Sequence, residues 1–520
     1  MIRLSQLLML ALLSLLGACA GLPPRGEPAA STAYRDTAGT ALARIAAASR
    51  PAGETAPSGF RLLPSGEFAF NARVALAQRA ERSLDLQCYH IQRDEAGRML
   101  LRALRDAAQR GVRVRLLVDD FYAAEIDDLL LGLAAHPNIE LRLFNPLPLR
   151  RGAPIVRLLL SPGNFQQMNH RMHNKLFIAD NAAAIYGGRN IADEYFMGHR
   201  EANFIDMDVL STGQVVDELS TVFDRYWNSE VAWPLQALLP PPEDAAQARA
   251  AFDEAVRDAK PVMPRYRLDP LGHTPVEAQL SEGRLVQAHA SAKVHADPPE
   301  KATVRSLLNK PTAAMQGLLD TMQTARRYVA MTSPYFLPND AAMQRMRYAG
   351  QNGVKLVLVT NSLGSTDEPL VHDHYSRRRI EMLKMGIDIY EFSPTHAQRS
   401  LGFGSFGQSV PRLHAKVAIV DHRHVLVGSV NLDARSAIGN TELGVVIDSP
   451  PLAEDLSQLV TGRQFANMYK LRLADDGERI EWLSTEADGR ITATSEEPAG
   501  SAWLRFKLWL LSLVVDERLL

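Results

Sequence analysis

Two short stretches of the sequence carry the same reactive residue types at the same spacing. In each, a lysine lies two positions after a histidine, and an aspartate lies five positions after the lysine. A single copy would carry little weight, because a histidine near a lysine is usually a surface pair or a structural residue. Two copies predict one active site built from two halves. The predicted catalytic set is His173, Lys175, Asp180, His414, Lys416 and Asp421.

The two motifs offer what the cleavage or transfer of a phosphodiester requires. The anionic oxygens of a phosphodiester repel nucleophiles and its alkoxide leaves poorly, so a site must neutralise charge, supply a nucleophile and protonate the departing oxygen. Imidazole has an ordinary pKa of about 6.5, so one histidine can attack while the other acts as an acid. Each lysine falls on the same face of a strand as its histidine and can attract the phosphate. From this pattern alone, either histidine can be the nucleophile.

Other residues near each motif have predicted supporting roles. Carboxylates that could hold the second ring nitrogen are Asp206, which is 33 positions after His173, and Glu442, which is 28 positions after His414. Asparagine can donate hydrogen bonds to phosphate oxygens, and small residues let the backbone approach a ligand. The predicted phosphate-binding residues are Asn190, Asn431, Gly188 and Ser429. Because a turn begins at the two motif aspartates, we expect them to make structural hydrogen bonds.

The motifs do not favour a metal site or a bound cofactor. Lysines and asparagines accompany the histidines, whereas zinc sites combine histidine with further histidine, cysteine or carboxylate ligands. The sequence also has no glycine-rich nucleotide cradle. We therefore expect chemistry that depends on side chains alone.

The elements that position the motifs are themselves repeated. Residues 111–118 resemble residues 353–359, and His173 follows Gly111 by 62 positions while His414 follows Gly353 by 61. A helix-like run precedes each of these segments, and an apolar strand-like piece precedes the helix. The pattern predicts an α/β fold with two pseudo-symmetric βαβ sandwich halves, whose mixed, mostly parallel sheets are covered by helices.

Composition suggests boundaries along the 520 residues. Arg3, an apolar run and Leu16-Gly17-Ala18-Cys19 resemble an export signal with a bacterial lipobox, which predicts a lipidated Cys19. A plain signal peptide or an uncleaved anchor is the alternative. The predicted segments are a signal over 1–19, a flexible tether over 20–59, a first half over 60–231, a connector over 232–311, a second half over 312–475 and a C-terminal tail over 476–520.

The net charge of the chain and its two terminal segments indicate which partners it could bind and where in the cell it could lie. With 57 basic and 59 acidic residues, the net charge of −2 offers no overall attraction for nucleic acid. The apolar stretch 503–513 suits a membrane interface or a helix packed on the core. Lipidation at Cys19 would leave Cys88 unpaired, so no internal disulfide is expected. We predict a membrane-anchored lipoprotein of the cell envelope that faces the periplasm.

The motifs and their surroundings resemble the phospholipase D superfamily, and within it the C-type branch of bacterial cardiolipin synthases. The likeness covers roughly residue 60 to the C-terminus. The segments that carry it are 171–175, 187–191, 413–416 and 435–442, together with Asn361, Asp367 and His372. Cardiolipin synthases of other branches begin with membrane-spanning helices, whereas this chain begins with a lipobox.

This resemblance implies phospholipid substrates at a membrane surface and a phosphohistidine mechanism without metal. It assigns the nucleophile to His173 and the acid and base role to His414. With phosphatidylglycerol as acceptor the product is cardiolipin, whereas with water it is phosphatidic acid. A nuclease and a non-catalytic lipid-binding envelope protein are less favoured alternatives. His372 and His374 could contact a headgroup or play a loop or helix-cap role, and the need for an accessory protein stays open.

Overall fold

The first half is built around one mixed sheet. The structure is a computed structural model, and it describes residues 22–148, 165–260, 262–303, 312–394, 409–460, 468–486, 488–500 and 507–508. The strands up to the connector are β1 Ser58–Leu63, β2 Ser83–Cys88, β3 Arg113–Asp119, β4 Ile139–Phe144, β5 Leu176–Ala179, β6 Ala183–Gly187, β7 Ala202–Ile205, β8 Asp208–Gly213 and β9 Ala232–Pro234. Their order in the sheet is β9-β4-β3-β2-β5-β6-β8-β1, and β7 lies outside it.

The second half repeats this arrangement. Strand β10 Ala288–Ala296 precedes the second half. The strands of the second half are β11 Tyr328–Thr332, β12 Lys355–Asn361, β13 Asp388–Phe392, β14 Val410–Leu413, β15 Val417–Val420, β16 His424–Gly428, β17 Leu443–Asp448, β18 Met468–Leu473, β19 Ile480–Thr485 and β20 Ile491–Thr494. The order is β20-β19-β18-β13-β12-β11-β15-β16-β17. Strands β11, β12 and β13 correspond to β2, β3 and β4 of the first half.

One strand joins the two sheets. The first residues of β10 pair with β1 from Ala288 to Ala290, and the remaining residues pair with β17 from Ser291 to Ala296. A second connection is the parallel pairing of β7 with β14, in which each strand comes from a different half. The relative position of the halves is therefore set by main-chain hydrogen bonds.

Helices cover the sheets and complete the apolar cores. They are α1 Ala41–Ala48, α2 Gly66–Arg79, α3 Glu95–Gln109, α4 Asp120–Ala123, α5 Asp127–Ala134, α6 Phe165–Met168, α7 Gln214–Trp227, α8 Leu235–Leu238, α9 Ala245–Val256, α10 Val276–Ser281, α11 Ala313–Gln323, α12 Asp340–Gln351, α13 Pro369–Ser376, α14 Arg379–Lys384 and α15 Pro450–Val460. Helix α3 begins at Asp94, whose carboxylate caps the Gly97 N–H, and it buries Leu100 and Leu104. One core contains residues of both halves, among them Phe60 and Ile447.

The predicted α/β class and the two pseudo-symmetric halves are confirmed. The prediction of mostly parallel sheets holds for the three central strands, since β2, β3 and β4 run parallel, as do β11, β12 and β13. It is wrong for the flanking strands of both sheets, which pair antiparallel. The reason is local, because β5 and β6 are joined by a tight hairpin, as are β15 and β16.

The segment predicted to be a flexible tether packs on the first half from residue 22 onwards. Arg115 is buried between the carboxylates of Asp85 and Asp224, and it also donates to the Ser31 carbonyl oxygen. The Ala33 N–H donates to Asp224 as well. Since buried charges need partners, the chain before β1 stays in place despite its proline and alanine content.

The predicted connector and tail are also largely part of the fold. Strand β9 extends the first sheet, α9 packs against α5, and β10 belongs to both sheets. Strands β19 and β20 extend the second sheet. Cys19 lies outside the described residues, as does the 503–513 stretch apart from exposed Lys507 and buried Leu508. In the part of the chain that is described, no helix combines the length and apolar character needed to cross a bilayer.

Candidate active site

The two motif histidines lie where the halves meet, and the main chain of each is held by the opposite half. The His173 N–H donates to the Thr441 carbonyl oxygen over 2.9 Å. The His414 N–H donates to the Ile205 carbonyl oxygen over 2.7 Å. Both histidines lie just before the strands β5 and β15, and both are buried. The two halves therefore build a single site together.

Each imidazole is hydrogen-bonded to a carboxylate across the seam. Glu442 Oε2 lies 3.0 Å from His173 Nδ1, and Asp206 Oδ2 lies 2.6 Å from His414 Nδ1. Each carboxylate thus contacts the histidine of the other half, a pairing that the sequence distances had left open. With Nδ1–H donated to a carboxylate, the lone pair of Nε2 is available for attack or proton transfer.

The two carboxylates differ in their surroundings. Glu442 accepts hydrogen bonds from the Ser429 and Ser436 hydroxyls. Burial raises the pKa of Glu442, but His173 and the nearby donors outweigh burial and the pKa is lowered. Asp206 accepts from the N–H of Met207, and burial raises its pKa despite the neighbouring Lys416. Glu442, the partner of His173, is thus better stabilised as an anion than Asp206, the partner of His414.

Two predicted phosphate-binding residues contact these carboxylates. A Cβ atom added to Gly188 would lie 2.1 Å from Asp206 Oδ1, so only glycine leaves room for that carboxylate. Ser429, at the equivalent position of the second half, uses its hydroxyl to donate to Glu442. The structure therefore gives Gly188 and Ser429 a part in placing the carboxylates, which the sequence did not indicate.

The two motif lysines lie close to each other in a buried setting. Lys175 Nζ donates to the His173 carbonyl oxygen over 2.7 Å, and Lys416 Nζ donates to that of His414 over 2.5 Å. Burial is the main cause that lowers the pKa of Lys175 to about 7 and that of Lys416 to about 8, and the second amine lowers the Lys175 value further. An anion between them would offset this cost.

Burial also keeps the two imidazoles neutral. It lowers the pKa of His173 to about 4, although Glu442 opposes the shift. It lowers the pKa of His414 well below the ordinary value, and Lys416 contributes in the same direction. Neutral imidazole is the form that can attack phosphorus.

The predicted asparagines lie in the same buried region. Asn190 Nδ2 donates to the Tyr195 hydroxyl over 2.9 Å, and the Asn431 N–H donates to Ser436 Oγ over 3.1 Å. Among the described residues, neither side-chain carbonyl oxygen has a hydrogen-bond partner. These two oxygens are hydrogen-bond acceptors, so they could receive a proton donor such as a hydroxyl group.

The motif aspartates have the same structural role in both halves. The Asp180 carboxylate accepts the N–H groups of residues 81–83, and Asp421 accepts those of residues 326–328. Both aspartates have positive φ angles, 53° and 52°, in the tight turn after the motif strand. Each aspartate thus fastens the start of the neighbouring strand, β2 or β11, to the motif.

Sequence reasoning missed the residues that hold the chain just before each histidine. Asp119 Oδ2 accepts the Met172 N–H over 2.8 Å. Asn361 Oδ1 accepts the Leu413 N–H over 2.8 Å, and its amide donates to the Leu413 carbonyl oxygen. Both end a strand, β3 or β12, and they are 242 positions apart. The matching spacing in the repeat was a signal that could have identified them.

Aromatic rings that sequence reasoning also missed surround the histidines. The Tyr89 ring centroid lies 5.3 Å from that of His173 and 5.4 Å from Lys175 Nζ. The rings of Tyr195 and Phe204 lie 5.2 and 5.0 Å from that of His414. These rings pack against the two buried imidazoles.

Other polar residues considered from the sequence are engaged elsewhere. His372 Nε2 lies 2.7 Å from Glu497 Oε1, and His374 Nδ1 lies 3.0 Å from the Leu370 carbonyl oxygen within helix α13. Both contacts agree with the structural role that was left open for them. Within the described residues, no group of three or more His, Cys, Asp and Glu side chains has a metal-binding arrangement.

Comparisons with known proteins agree with the repeat. A family model described as the cardiolipin synthase, phospholipase D-like domain matches residues 74–227 and again 318–462. The chain is 37% identical to cardiolipin synthase C of Escherichia coli over 454 residues, which cover 87% of this chain and 94% of that protein. It is 26% identical to cardiolipin synthase A of Pseudomonas putida, over 83% of this chain and 71% of that protein.

Among solved structures, the chain resembles phosphatidylserine synthase of Haemophilus influenzae. The TM-score is 0.58 at 14% sequence identity, and the match covers 89% of this chain and 95% of that one. At this level of identity, the likeness concerns the fold.

Proposed function

Because the chain belongs to the cardiolipin synthase family of phospholipase D-like proteins, we propose that it is a phosphatidyltransferase that joins phosphatidylglycerol to a second phospholipid and forms cardiolipin. The observation that carries this proposal is the crosswise pairing of two buried histidines with two buried carboxylates. Two buried lysines between them offer a place for one phosphate.

In the first step, Nε2 of His173 attacks the phosphorus of the donor lipid. An N–P bond forms, the P–O bond to the headgroup breaks, and the departing alcohol takes a proton from the imidazolium of His414. The phosphohistidine carries positive charge, which the ionised Glu442 stabilises at 3.0 Å from Nδ1. The phosphate anion itself favours the protonated form of His414 that this step requires.

In the second step, neutral His414 accepts the proton of the acceptor hydroxyl. That oxygen attacks phosphorus, the N–P bond breaks, and His173 returns to its starting state. Lys175 and Lys416 are proposed to neutralise the phosphate charge in both steps, and the side-chain N–H groups of Asn190 and Asn431 are proposed to donate hydrogen bonds to its oxygens.

The difference between the two carboxylates supports the assignment of the nucleophile to His173. Two hydroxyl donors and a lowered pKa make Glu442 the stronger anion, and the nucleophile is the imidazole that must bear a lasting positive charge. Asp206, with its raised pKa, suits a histidine that gains and loses a proton. The assignment follows from this asymmetry within a pseudo-symmetric site.

Location is a second part of the proposal. The lipobox-like residues 16–19 support lipid attachment at Cys19 and a position on the periplasmic side of the envelope. A Cys19→Ser variant should then lose the lipid-modified N-terminal peptide in mass spectra. A change in peptide mass equal to the Cys-to-Ser exchange alone would contradict lipidation.

The activity is tested with the purified full-length protein and vesicles that contain labelled phosphatidylglycerol and phosphatidylethanolamine. Cardiolipin is the expected product, and its formation should be lost in His173→Ala and His414→Ala. A matched control is His136→Ala, which removes a buried histidine that packs on Phe252 of the connector. Phosphatidic acid as the sole product would make the protein a hydrolase, and wild-type activity in either motif variant would refute the assignment.

A further inference from the structure

A loop in the connector exposes three large apolar side chains close together. Met263, Tyr266 and Leu268 have exposed fractions of 61%, 45% and 51%. Arg265 and Arg267 lie between them in the sequence, and both are exposed. We call residues 263–268 the apolar loop. Soluble proteins seldom expose several large apolar residues together, and such patches usually mark a contact surface.

The apolar loop is fastened at its third residue, Arg265, and just after its last residue. The Arg265 guanidinium pairs with Glu67 over 3.0 Å, and its N–H donates to the same carboxylate. Just after the loop, Asp269 forms a fully buried ion pair with Arg61 over 3.0 Å. Tyr266 and Leu268 lie between these two anchors, so their exposed side chains belong to a stretch of chain that is fixed on both sides.

The charge of the apolar loop fits one kind of partner. Arg267 has no ion-pair partner among the described residues, and Arg265 keeps 55% of its side chain exposed despite its pair with Glu67. Apolar side chains flanked by arginines can enter the headgroup region of a bilayer while the guanidinium groups contact anionic lipid. A protein partner would not require this alternation of apolar and basic residues.

The apolar loop is connected to the candidate active site through a short series of contacts. Its anchor Glu67 follows Gly66 at the start of α2, and a Cβ atom on Gly66 would lie 2.5 Å from the Tyr195 carbonyl oxygen. The Tyr195 ring in turn packs against His414. A bilayer bound at the loop would thus be coupled to the wall of the site.

We propose that the apolar loop inserts into the surface of an anionic phospholipid bilayer. This contact lies in the folded part of the chain and is separate from any lipid at Cys19 or contact of the C-terminal tail. It goes beyond the proposed catalytic activity, because insertion can be measured without turnover.

Insertion is tested with an environment-sensitive fluorophore on Tyr266→Cys in the full-length Cys19→Ser protein. Cys88 does not compete for the label, because it is buried and burial raises the pKa of its thiol to about 12. Vesicles of phosphatidylcholine with phosphatidylglycerol should shift the emission to the blue and protect the dye from aqueous iodide. The same dye on Tyr348→Cys, a 71% exposed position on α12, should show neither change.

A second measurement compares lipid transfer in two variants with matched losses of exposed apolar surface. The triple variant Met263→Ser, Tyr266→Ser, Leu268→Ser should lower transfer on vesicles about tenfold and leave transfer on detergent-dispersed lipid unchanged. The control Tyr348→Ser, Ile491→Ser should behave as wild type on both.

Two results would overturn insertion of the apolar loop. One is an emission spectrum at position 266 that does not respond to anionic vesicles to which the protein is bound. The other is a response equal to that at position 348. If the wild-type protein had no transferase activity, the spectral result would still decide the question of insertion, so the two proposals fail separately.

Discussion

Replacing Glu442 with glutamine tests whether the carboxylate from the second half serves the histidine of the first. The carboxylate oxygen lies 3.0 Å from His173 Nδ1, which places the charge centres about 4 Å apart. At an effective dielectric of about 20, the attraction between unit charges at that distance is about 4 kcal/mol. The amide retains a dipole, so we expect the loss of transition-state stabilisation to be about 3 to 4 kcal/mol, which slows attack by about 10²-fold to 10³-fold.

The measurement is the rate at which the phosphoenzyme forms from labelled phosphatidylglycerol after rapid mixing and quenching. Ser436→Ala should slow the same step only about fivefold, since it removes one neutral donor worth about 1 kcal/mol from Glu442. Near wild-type rates of phosphoenzyme formation in folded Glu442→Gln protein would refute the role of this carboxylate. Labelled phosphate trapped on His414 instead of His173 would assign the nucleophile to His414.

Three further predictions concern the lysines, the turn aspartate and the strand end. In the folded protein the pKa of Lys175 is about 7, against an ordinary value of 10.5. Between these two pH values the unfolded chain keeps a proton that the folded protein has released, so the free energy of unfolding rises with pH in this range. Lys175→Met should therefore raise the thermal midpoint more at about pH 6 than at about pH 10, and an equal effect at both would contradict the lowered pKa. Asp180→Ala should lower the free energy of unfolding by about 2 kcal/mol in denaturant titrations, because the N–H groups of residues 81–83 lose their acceptor, and the folded fraction should keep its transfer rate. Asn361→Asp loses the donor to the Leu413 carbonyl oxygen and should lower kcat about tenfold with little change in KM, and an unchanged kcat would remove Asn361 from the positioning of His414.

The repeat in the sequence carried most of what could be predicted about the site. His173 and His414 are 241 positions apart, and the glycine and asparagine positions after them keep that offset. Such local spacing indicates which residues share a role, and the alternation of strands and helices indicates the class of fold. Both signals are local, so they can be recognised in the sequence before the fold is known.

The crosswise pairing could not be read from the same signals. Asp206 and Glu442 follow their own motifs at comparable distances, so the sequence pattern is the same whether a carboxylate meets the near or the far histidine. The choice depends on strands β7 and β14, which pair across the seam over a separation of about 200 residues. Pairing over such distances is decided by the packing of the whole chain.

The antiparallel pairing of the flanking strands, such as β5 with β6, could have been predicted from the sequence, but the sequence analysis missed it. Asp180 and Asn181 both have positive φ angles, and the Ala182 N–H donates back to the Ala179 carbonyl oxygen. Asp followed by Asn is typical of the hairpin turn that requires such angles. The packed segment before β1 was different, because its composition is that of a tether and the buried Arg115 that binds it lies more than 80 residues away.

The exchange of carboxylates across the seam has an evolutionary consequence. One half alone could not complete either histidine–carboxylate pair, so an ancestor made of a single half would need two copies to form the site. After fusion, a change in the acid of one copy could be tolerated only with adjustment around the histidine of the other. The two half-sites are no longer identical, since an aspartate lies beside a glycine in one and a glutamate lies beside a serine in the other.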